Sequence, residues 1–513
     1  MKKFMSLLLI GLLLLSVSAC GTETAPDPTA TAAPSASSAP PSATVAPTAE
    51  APYEVNVWMS AAGGSIEDGD AVYAAINEIT LAKTNTFMTP TMINWGSYNE
   101  QVNLMFSSGD KCDLLMTGTF YDYANILSRG YLLPLEDLVG AHGSAIASVL
   151  GDYLSVGYYN DGHLYGLTTQ RDLARGYCLM MATDLYESLD FDFSAVDSFG
   201  DFDPLFAQLK TEYPDKIVTG SYSASFNMMR YMESYTLSDQ TGDANLGVYL
   251  MDRHAPEFSI AIESEQYLED VQMIRQWYQN GYMLQDITTN EFSGMNLHKS
   301  GQLLTYGCSY KPGEEGQAER QTGVPMSLVM ASPVFADTIT STGMVWGIPT
   351  HCENPGATMA FLNLMYEDAD IVNLFSWGLE GMHYVQTGDG HITYPEGVTV
   401  DSVGFKLNLN WCWGDTFKAH IWEGDPLDLN DRMSAHNAGA DKSIAMGFLF
   451  DSSSHKPQVA SIVNTYNEYA RGLENGVVDP AVIIPEYLAK LKASGIDDIV
   501  AAKQAQLSSW LER

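Results

Sequence analysis

Three aromatic residues follow predicted β-strands at positions where α/β proteins commonly hold a ligand. Trp58, Trp95 and Tyr121 lie at or just beyond the carboxyl ends of three strands. Ligands bind at the carboxyl ends of strands in parallel α/β sheets, and an aromatic face can cover apolar ligand surface. Each of these side chains can instead belong to a core or a rim, so both roles stay open.

The elements that would position these aromatics alternate between strand and helix. Apolar residues at every second position predict the strands, and apolar residues three or four apart predict the helices between them. This alternation predicts an α/β fold with a parallel sheet. The strands are predicted over 54–59, 89–95 and 112–117, and the helices over 71–83 and 98–107.

Sequence motifs of common enzyme classes are missing from the chain. It contains no G-x-S-x-G, H-E-x-x-H, P-loop or G-x-G-x-x-G motif, and its ten histidines show no metal-ligand spacing. The acidic segment 425–431 matches a calcium-binding EF-hand loop only in part and is interpreted as a polar loop. The sequence therefore predicts no catalytic residue, no metal and no cofactor.

The composition indicates a large, acidic and folded body from residue 53 onward. A single hydrophobic core seldom serves more than about 250–300 residues, and the body is longer than this, so two lobes are expected. The formal charge of −38 argues against nucleic acid and anionic membrane surfaces as partners. The acidic residues are spread along the body, which indicates a solvated surface.

The N-terminal segment has the order of a secretory signal. Two lysines precede an apolar run over 4–15, and small residues precede Cys20. The run is shorter than the ~20 residues of a bilayer-spanning helix. A cysteine at this place resembles the bacterial lipobox, which implies removal of 1–19 and attachment of an acyl lipid such as palmitate to Cys20.

The segment that follows predicts a tether. Residues 20–52 are almost entirely Ala, Pro, Ser and Thr, a composition that forms no core and stays disordered as a semi-stiff stalk. The expected location is therefore the outer face of the cell membrane, extracellular or periplasmic.

Five further cysteines are too widely spaced to indicate a zinc site or a dense disulfide framework. One or two disulfides and buried free thiols are both compatible with their positions. They are Cys112, Cys178, Cys308, Cys352 and Cys412.

Several short segments of the body match a known family in their order and spacing. They are DGHLYGL at 161–167, WYQNGY at 277–282, GMVWGIP at 343–349, GLEGMHY at 378–384 and AAKQAQLSSWL at 501–511. Together they resemble the extracellular solute-binding proteins of ABC importers. The similarity is to the carbohydrate-type branch related to maltodextrin-binding proteins, within its lipoprotein group with an extended C-terminal region.

The resemblance implies a two-lobe, periplasmic-binding-protein-like fold of type II, in which two α/β lobes close on a ligand around a hinge. Matched by segment order, lobe 1 would comprise 53–168 and 302–368, and lobe 2 would comprise 173–300 and 372–513. The chain would cross between the lobes near 167–173, 301 and 370.

In such a family, aromatic faces stack on sugar rings and polar groups bind the hydroxyls. Trp58, Trp95 and Tyr121 would be the aromatic candidates at the first strands. Tyr310 and Trp346, after or within later strands, are further candidates, each with a core position as the alternative.

The expected first hinge contains Gln170, Arg171 and Arg175. A guanidinium can bind a ligand carboxylate or sugar hydroxyls through paired hydrogen bonds. A salt bridge across the hinge is the alternative, and in so acidic a chain it is the preferred interpretation.

Two tryptophans surround Cys412 in the predicted second lobe. An extended segment would place Trp411 and Trp413 on one face, either as a sugar platform or as a corner of the core. Trp377 and Glu380 are interpreted as structural.

The function implied by the resemblance is capture of a small carbohydrate, expected to be an oligosaccharide. A monomeric lipoprotein without enzymatic activity would deliver this ligand to an ABC permease. Two alternatives remain open at this point: a secreted glycoside hydrolase and a glycan-binding surface lipoprotein without a transporter.

Overall fold

Two large hydrophobic cores organise the body of the protein. In the computed structural model, the first core is formed mainly by residues within 55–167 and 344–413, and the second mainly by residues within 177–331 and 445–507. We call the parts of the chain around these cores lobe 1 and lobe 2.

The structure describes residues 51–61 and 63–512. The predicted signal at 1–19, the lipid site Cys20 and nearly all of the stalk at 20–52 lie outside these residues. In the described part of the chain, no helix combines the length and the apolar character that a bilayer-spanning segment requires.

Strands and helices alternate in the first part of the body, and long helices predominate at its end. The strands are β1 (Tyr53–Ala61), β2 (Ser65–Ile66), β3 (Thr86–Asn94), β4 (Leu114–Thr117), β5 (Leu167–Thr168), β6 (Gly176–Ala182), β7 (Val248–Leu250), β8 (Phe258–Ile260), β9 (Thr305–Tyr310), β10 (Met326–Met330), β11 (Phe335–Ala336), β12 (Val345–Gly347), β13 (Val385–Gln386), β14 (Ile392–Thr393), β15 (Phe405–Lys406) and β16 (Asp441–Lys442). The helices are α1 (Gly69–Thr84), α2 (Tyr98–Ser108), α3 (Tyr123–Ser128), α4 (Glu136–His142), α5 (Ser144–Leu150), α6 (Thr183–Ser188), α7 (Asp203–Glu212), α8 (Glu233–Thr236), α9 (Glu265–Gln279), α10 (Gly294–Lys299), α11 (Glu314–Thr322), α12 (Thr338–Thr342), α13 (Pro355–Glu367), α14 (Ala369–Trp377), α15 (Leu429–Ala438), α16 (Lys456–Leu473), α17 (Pro480–Ala493) and α18 (Ile496–Leu511).

The sheet of lobe 1 has the strand order β3-β1-β4-β12-β5. Strand β1 is parallel to β3 along its whole length and parallel to β4, whereas β12 is antiparallel to β4 and β5. Val55, Val57 and Met59 of β1 are completely buried. They share one face of the sheet, because side chains alternate between the two faces along a strand. The predicted α/β fold with parallel strands is confirmed, and the carboxyl ends of β1, β3 and β4 share one edge of the sheet.

The first connection between the sheets of the two lobes lies near 167–173. Strand β5 belongs to the lobe 1 sheet, and β6 begins the antiparallel lobe 2 sheet, whose order is β10-β6-β9. Segment 169–175 therefore joins the two sheets.

Segment 302–368, which was expected in lobe 1, divides between the lobes. Its first part forms β9 and β10, which pair with the two edges of β6 and bury Tyr306 and Cys308. Its last part, which includes β12 and α13, packs in the core of lobe 1. The chain thus returns to lobe 1 at 337–344 and not near 301.

Segment 372–413, which was expected in lobe 2, packs in lobe 1. Phe375 of α14 stacks on Trp413 with ring centroids 4.4 Å apart, and both side chains are completely buried. The core of lobe 2 resumes with Ala445. The third crossing therefore falls between 414 and 444, because burial of the Phe375–Trp413 pair holds the preceding segment on lobe 1.

Candidate ligand-binding cleft

A cavity of about 380 Å³ lies between the two lobes. Phe120 and Trp411 line it from lobe 1, and Tyr222, Phe226 and Tyr310 line it from lobe 2. Pockets for small ligands commonly measure about 300–1,000 Å³ and combine apolar walls with a few polar groups. The cavity therefore has the size and the lining of a small-molecule site.

Three aromatic rings form a row on the lobe 1 side, which we call the aromatic wall: Phe120 and Trp411 line the cavity, and Trp95 lies next to Phe120 outside this lining. The ring centroid of Phe120 lies 6.4 Å from that of Trp95 and 6.3 Å from that of Trp411. Trp95 is 45% exposed and Phe120 is 47% exposed, so their faces are open to a ligand. Aromatic faces of this kind can cover the apolar face of a sugar ring.

The turn after β4 decides which of two neighbouring aromatics joins this wall. Gly118 has a φ of +138°, and a Cβ there would lie 2.4 Å from the carbonyl oxygen of Gly343, so the turn requires glycine. Phe120 then lies in the cleft, whereas the predicted Tyr121 is 2% exposed and packs behind Trp95 at 5.1 Å. Of these two aromatics, Phe120 lines the cavity and the sequence candidate Tyr121 does not.

The first crossing segment contains the candidates Arg171 and Arg175, and both line the cavity. Arg171 donates hydrogen bonds from Nη2 to the carbonyl of Thr340 at 2.7 Å and from Nη1 to the carbonyl of Asp172 at 2.8 Å. Its Cζ lies 5.6 Å from the ring centroid of Trp411, a cation–π distance. These contacts hold the guanidinium against the aromatic wall.

Arg175 forms the salt bridge that the sequence analysis preferred for the hinge arginines. Its Nη2 lies 2.6 Å from Oδ2 of Asp337, and the Asp337 side chain is 1% exposed. Asp337 in turn caps α12 by accepting from the amide of Thr340 at 2.8 Å. The ion pair therefore ties two crossing segments together, since Arg175 follows β5 and Asp337 follows β11.

Gln170, the third residue predicted in the hinge, forms backbone hydrogen bonds to the third crossing segment. Its amide donates to the carbonyl of Gly414 at 2.7 Å, and its carbonyl accepts from the amide of Thr416 at 3.0 Å. The first and third crossing segments are thus hydrogen-bonded to each other. Gln170 is not among the residues that line the cavity.

Charged groups line the cavity together with the aromatic residues. Lys311 follows β9 directly, and its Nζ lies 3.5 Å from Oδ2 of Asp172. The attraction of Asp172 raises the pKa of Lys311 despite the opposing effect of burial. Burial raises the pKa of Glu314 at the start of α11 to about 7, although Lys311 opposes this shift. The cavity therefore presents both donors and acceptors to a ligand.

Three predicted site residues belong to the core of lobe 1. The indole N–H of Trp58 donates to the carbonyl of Lys111 at 3.0 Å, and that of Trp346 donates to the carbonyl of Cys412 at 2.9 Å. Trp346 and Trp413 are completely buried. Trp411 lies within a 3₁₀ turn over Asn410–Cys412, and Trp413 follows this turn. The segment is therefore not extended, and the two side chains do not share a face: Trp411 lines the cleft and Trp413 lies in the core.

The five described cysteines are buried and unlinked. Cys178 and Cys308 face each other across β6 and β9, with their Sγ atoms 3.2 Å apart. In the part of the chain that the structure describes, no group of three or more His, Cys, Asp and Glu side chains is arranged to hold a metal ion.

Comparisons with known proteins place this fold in one class. Residues 444–512 match a family model described as a domain of unknown function, DUF3502. A carbohydrate ABC transporter substrate-binding protein of Streptococcus pneumoniae is 21% identical over 470 residues, which cover 88% of this chain and 90% of that protein.

Solved structures agree with the sequence comparison. The N-glycan transport solute-binding protein of Streptococcus pneumoniae superposes with a TM-score of 0.78 at 19% identity, over 90% of this chain and 99% of that chain. The same protein solved with Man1GlcNAc gives a TM-score of 0.70 at 19% identity, over 90% and 100%. A solute-binding protein of Bifidobacterium longum infantis described as binding HMO gives 0.64 at 16% identity, over 90% and 100%.

The chain therefore has the fold of the extracellular solute-binding proteins. The resemblance drawn from the sequence motifs is confirmed, since the similar proteins are substrate-binding components of carbohydrate transporters and are similar over nearly the whole body.

Proposed function

We propose that this protein is a lipid-anchored solute-binding protein that captures an oligosaccharide between its lobes and delivers it to an ABC permease. The observation that carries the proposal is the cleft itself. Phe120 and Trp411 of the aromatic wall line the cavity together with Asp172 and Lys311. Apolar sugar faces and sugar hydroxyls require this combination.

Ligand capture would close the two lobes. A ligand that contacts Phe120 on lobe 1 and Tyr222 on lobe 2 has contacts in the closed form that it lacks in the open form. It shifts the equilibrium only by this difference in affinity. The three crossing segments, 169–175, 337–344 and 414–444, are the hinge in this proposal.

The proposed location follows from the N-terminal sequence. After removal of the signal over 1–19, a lipid on Cys20 and a stalk over 20–52 would hold the monomeric body near the outer face of the cell membrane. A permease in the same membrane is then within reach, so the anchor suits a transport component. No catalytic role is assigned to any residue.

A glycan-binding screen of the body from residue 53 onward tests the proposal. We expect the body to bind neutral oligosaccharides, to be thermally stabilised by them and to leave them intact in mass spectra.

Phe120→Ala should weaken binding about 10-fold or more, which corresponds to about 1.4 kcal/mol. Tyr213→Ala, a substitution at an exposed tyrosine outside the cleft, is the control. Cleavage of a bound glycan would favour a hydrolase, and absence of binding to any glycan would refute the proposal.

A further inference from the structure

A second group of aromatic rings lies beside the first cavity. The ring centroid of Trp422 is 5.2 Å from that of Trp377 and 4.6 Å from that of Tyr394. All three side chains are half-buried, so part of each ring stays open. Trp377 and Trp422 line two further cavities of about 460 and 240 Å³, and Tyr394 lines the larger one.

These cavities continue from the first one. Trp411 and Lys311 line all three, and Arg171 and Asp172 line both the first cavity and the 240 Å³ cavity. Trp411 is therefore a wall that the three spaces share. A ligand stacked beside Phe120 can extend past Trp411 toward Trp422 without leaving the cleft.

The larger cavity presents polar groups that lack a protein partner. The hydroxyl of Ser376 and the indole N–H of Trp377 are buried, and neither has a hydrogen-bond partner in the described part of the chain. Ser376 is 4% exposed. A buried polar group without a partner costs about 1–3 kcal/mol, so each group would gain a hydrogen bond if a side-chain movement brought it to the cavity surface beside a ligand hydroxyl.

The charge of this cavity indicates the class of ligand. Its lining contains side-chain amides from both lobes, including Gln317 and Gln321 of α11 and Asn410 of lobe 1, and it contains no carboxylate. Of its two lysines, Lys311 pairs with Asp172, whereas Lys406 donates to the carbonyl of Val400 at 3.1 Å and keeps its positive charge. The amides can bind sugar hydroxyls, beside aromatic rings that can cover apolar sugar faces.

We propose that Trp377, Tyr394 and Trp422 form a second sugar-binding site, so that one neutral oligosaccharide spans the cleft from Phe120 past Trp411 to Trp422. This inference rests on the proposed function and adds the extent of the ligand. Trp377, which the sequence indicated as structural, is a binding residue in this proposal.

Calorimetry with neutral glycans of increasing length tests the second site. The series includes the disaccharide Man1GlcNAc and the hexasaccharide Man5GlcNAc, and the variants are Trp422→Ala and Trp422→Phe. We expect Trp422→Ala to weaken binding of the longest glycan bound by about 10-fold or more, and that of the shortest by less than about 2-fold. Trp422→Phe should retain most of the affinity for the longest glycan, because an aromatic face remains.

The matched control is Phe120→Ala, which should weaken short and long glycans alike, and thermal unfolding monitors the fold of each variant. An equal effect of Trp422→Ala on all glycan lengths, or no effect on any, would overturn the second site while leaving the proposed function intact. Failure of the unsubstituted protein to bind any glycan in the series would overturn both.

Discussion

The ammonium nitrogen of Lys311 lies 3.5 Å from a carboxylate oxygen of Asp172 where the cavities of the cleft meet. Asp172 belongs to the first crossing segment, and Lys311 follows the strand that completes the lobe 2 sheet. Burial raises the pKa of Asp172, but Lys311 and Arg171 outweigh this effect and hold it below the usual value. Asp172 is therefore an ionised acceptor beside the aromatic wall.

Substitution of Asp172 by asparagine should weaken glycan binding. A hydrogen bond to a charged group contributes about 1.5–3 kcal/mol, so Asp172→Asn should reduce affinity by about 10- to 100-fold in calorimetry. The substitution keeps the shape of the side chain and removes its charge. Asp184→Asn, at an exposed acid in α6 and outside the cavities, is the control. Unchanged affinity of Asp172→Asn would show that the ligand does not contact this carboxylate.

Truncation of Trp411 should lower glycan affinity, whereas truncation of Trp413 should lower the stability of the fold. Trp413 is completely buried and stacks on Phe375, and truncation of a buried aromatic to alanine costs about 3–5 kcal/mol. Trp411 is half-buried and lines the cleft. We expect Trp413→Ala to lower the free energy of unfolding in urea by that amount. Trp411→Ala should mainly lower glycan affinity, and a large stability loss for Trp411→Ala alone would contradict this assignment.

The edge of the sheet at the carboxyl ends of β1, β3 and β4 could be predicted from the sequence, because strand ends follow from local patterns. Trp95 emerged from such a pattern and lies next to Phe120, which lines the cavity. Phe120 and Tyr121 are adjacent, and which of them faces the cleft depends on the turn at Gly118, whose close approach to Gly343 involves a distant segment. Trp58 was assigned to a strand end, but β1 continues to Ala61, so its side chain lies inside the core.

The lobe to which a strand belongs was harder to predict than the strand itself. The structure has β9 at Thr305–Tyr310, close to the crossing that was expected near 301. Its pairing with β6 is a contact between residues more than a hundred positions apart, and no local pattern specifies such a partner. The same limit applies to Phe375 and Trp413, whose mutual burial keeps that segment on lobe 1.

Arg175 should contribute to stability before any ligand binds. Its partner Asp337 is almost completely buried, and removal of one member of a buried ion pair costs about 3–5 kcal/mol because the other charge stays uncompensated. Arg175→Met should therefore lower the free energy of unfolding of the unliganded protein in urea by about that amount.

A second substitution separates this ionic effect from lost packing of the arginine. Adding Asp337→Asn to Arg175→Met should recover part of the loss, because it removes the unpaired charge and keeps a side chain that can cap α12. Stability of Arg175→Met equal to that of the unsubstituted protein, with glycan affinity reduced, would instead assign Arg175 to the ligand.

Glu314 should make the stability of the protein depend on pH. Burial, with smaller contributions from Asp172 and Glu315, raises its pKa to about 7, although Lys311 opposes the shift. In the unfolded chain the pKa of a glutamate is about 4.3. Between these two values the folded state binds a proton that the unfolded state has lost, so stability falls as pH rises through this window.

Glu314→Gln removes this titration while keeping the size of the side chain. Below about pH 4 both proteins carry a neutral group, so their unfolding free energies should be nearly equal. The variant should become more stable than the unsubstituted protein as pH rises, by roughly 2–4 kcal/mol near pH 8. Urea denaturation of both proteins from pH 4 to pH 8.5 measures this difference.

Asp239, whose pKa burial raises to about 6, is present in both proteins, so its contribution to the pH dependence of stability cancels in the difference. A difference that stays constant across this range would show that Glu314 ionises in the folded protein as it does in water.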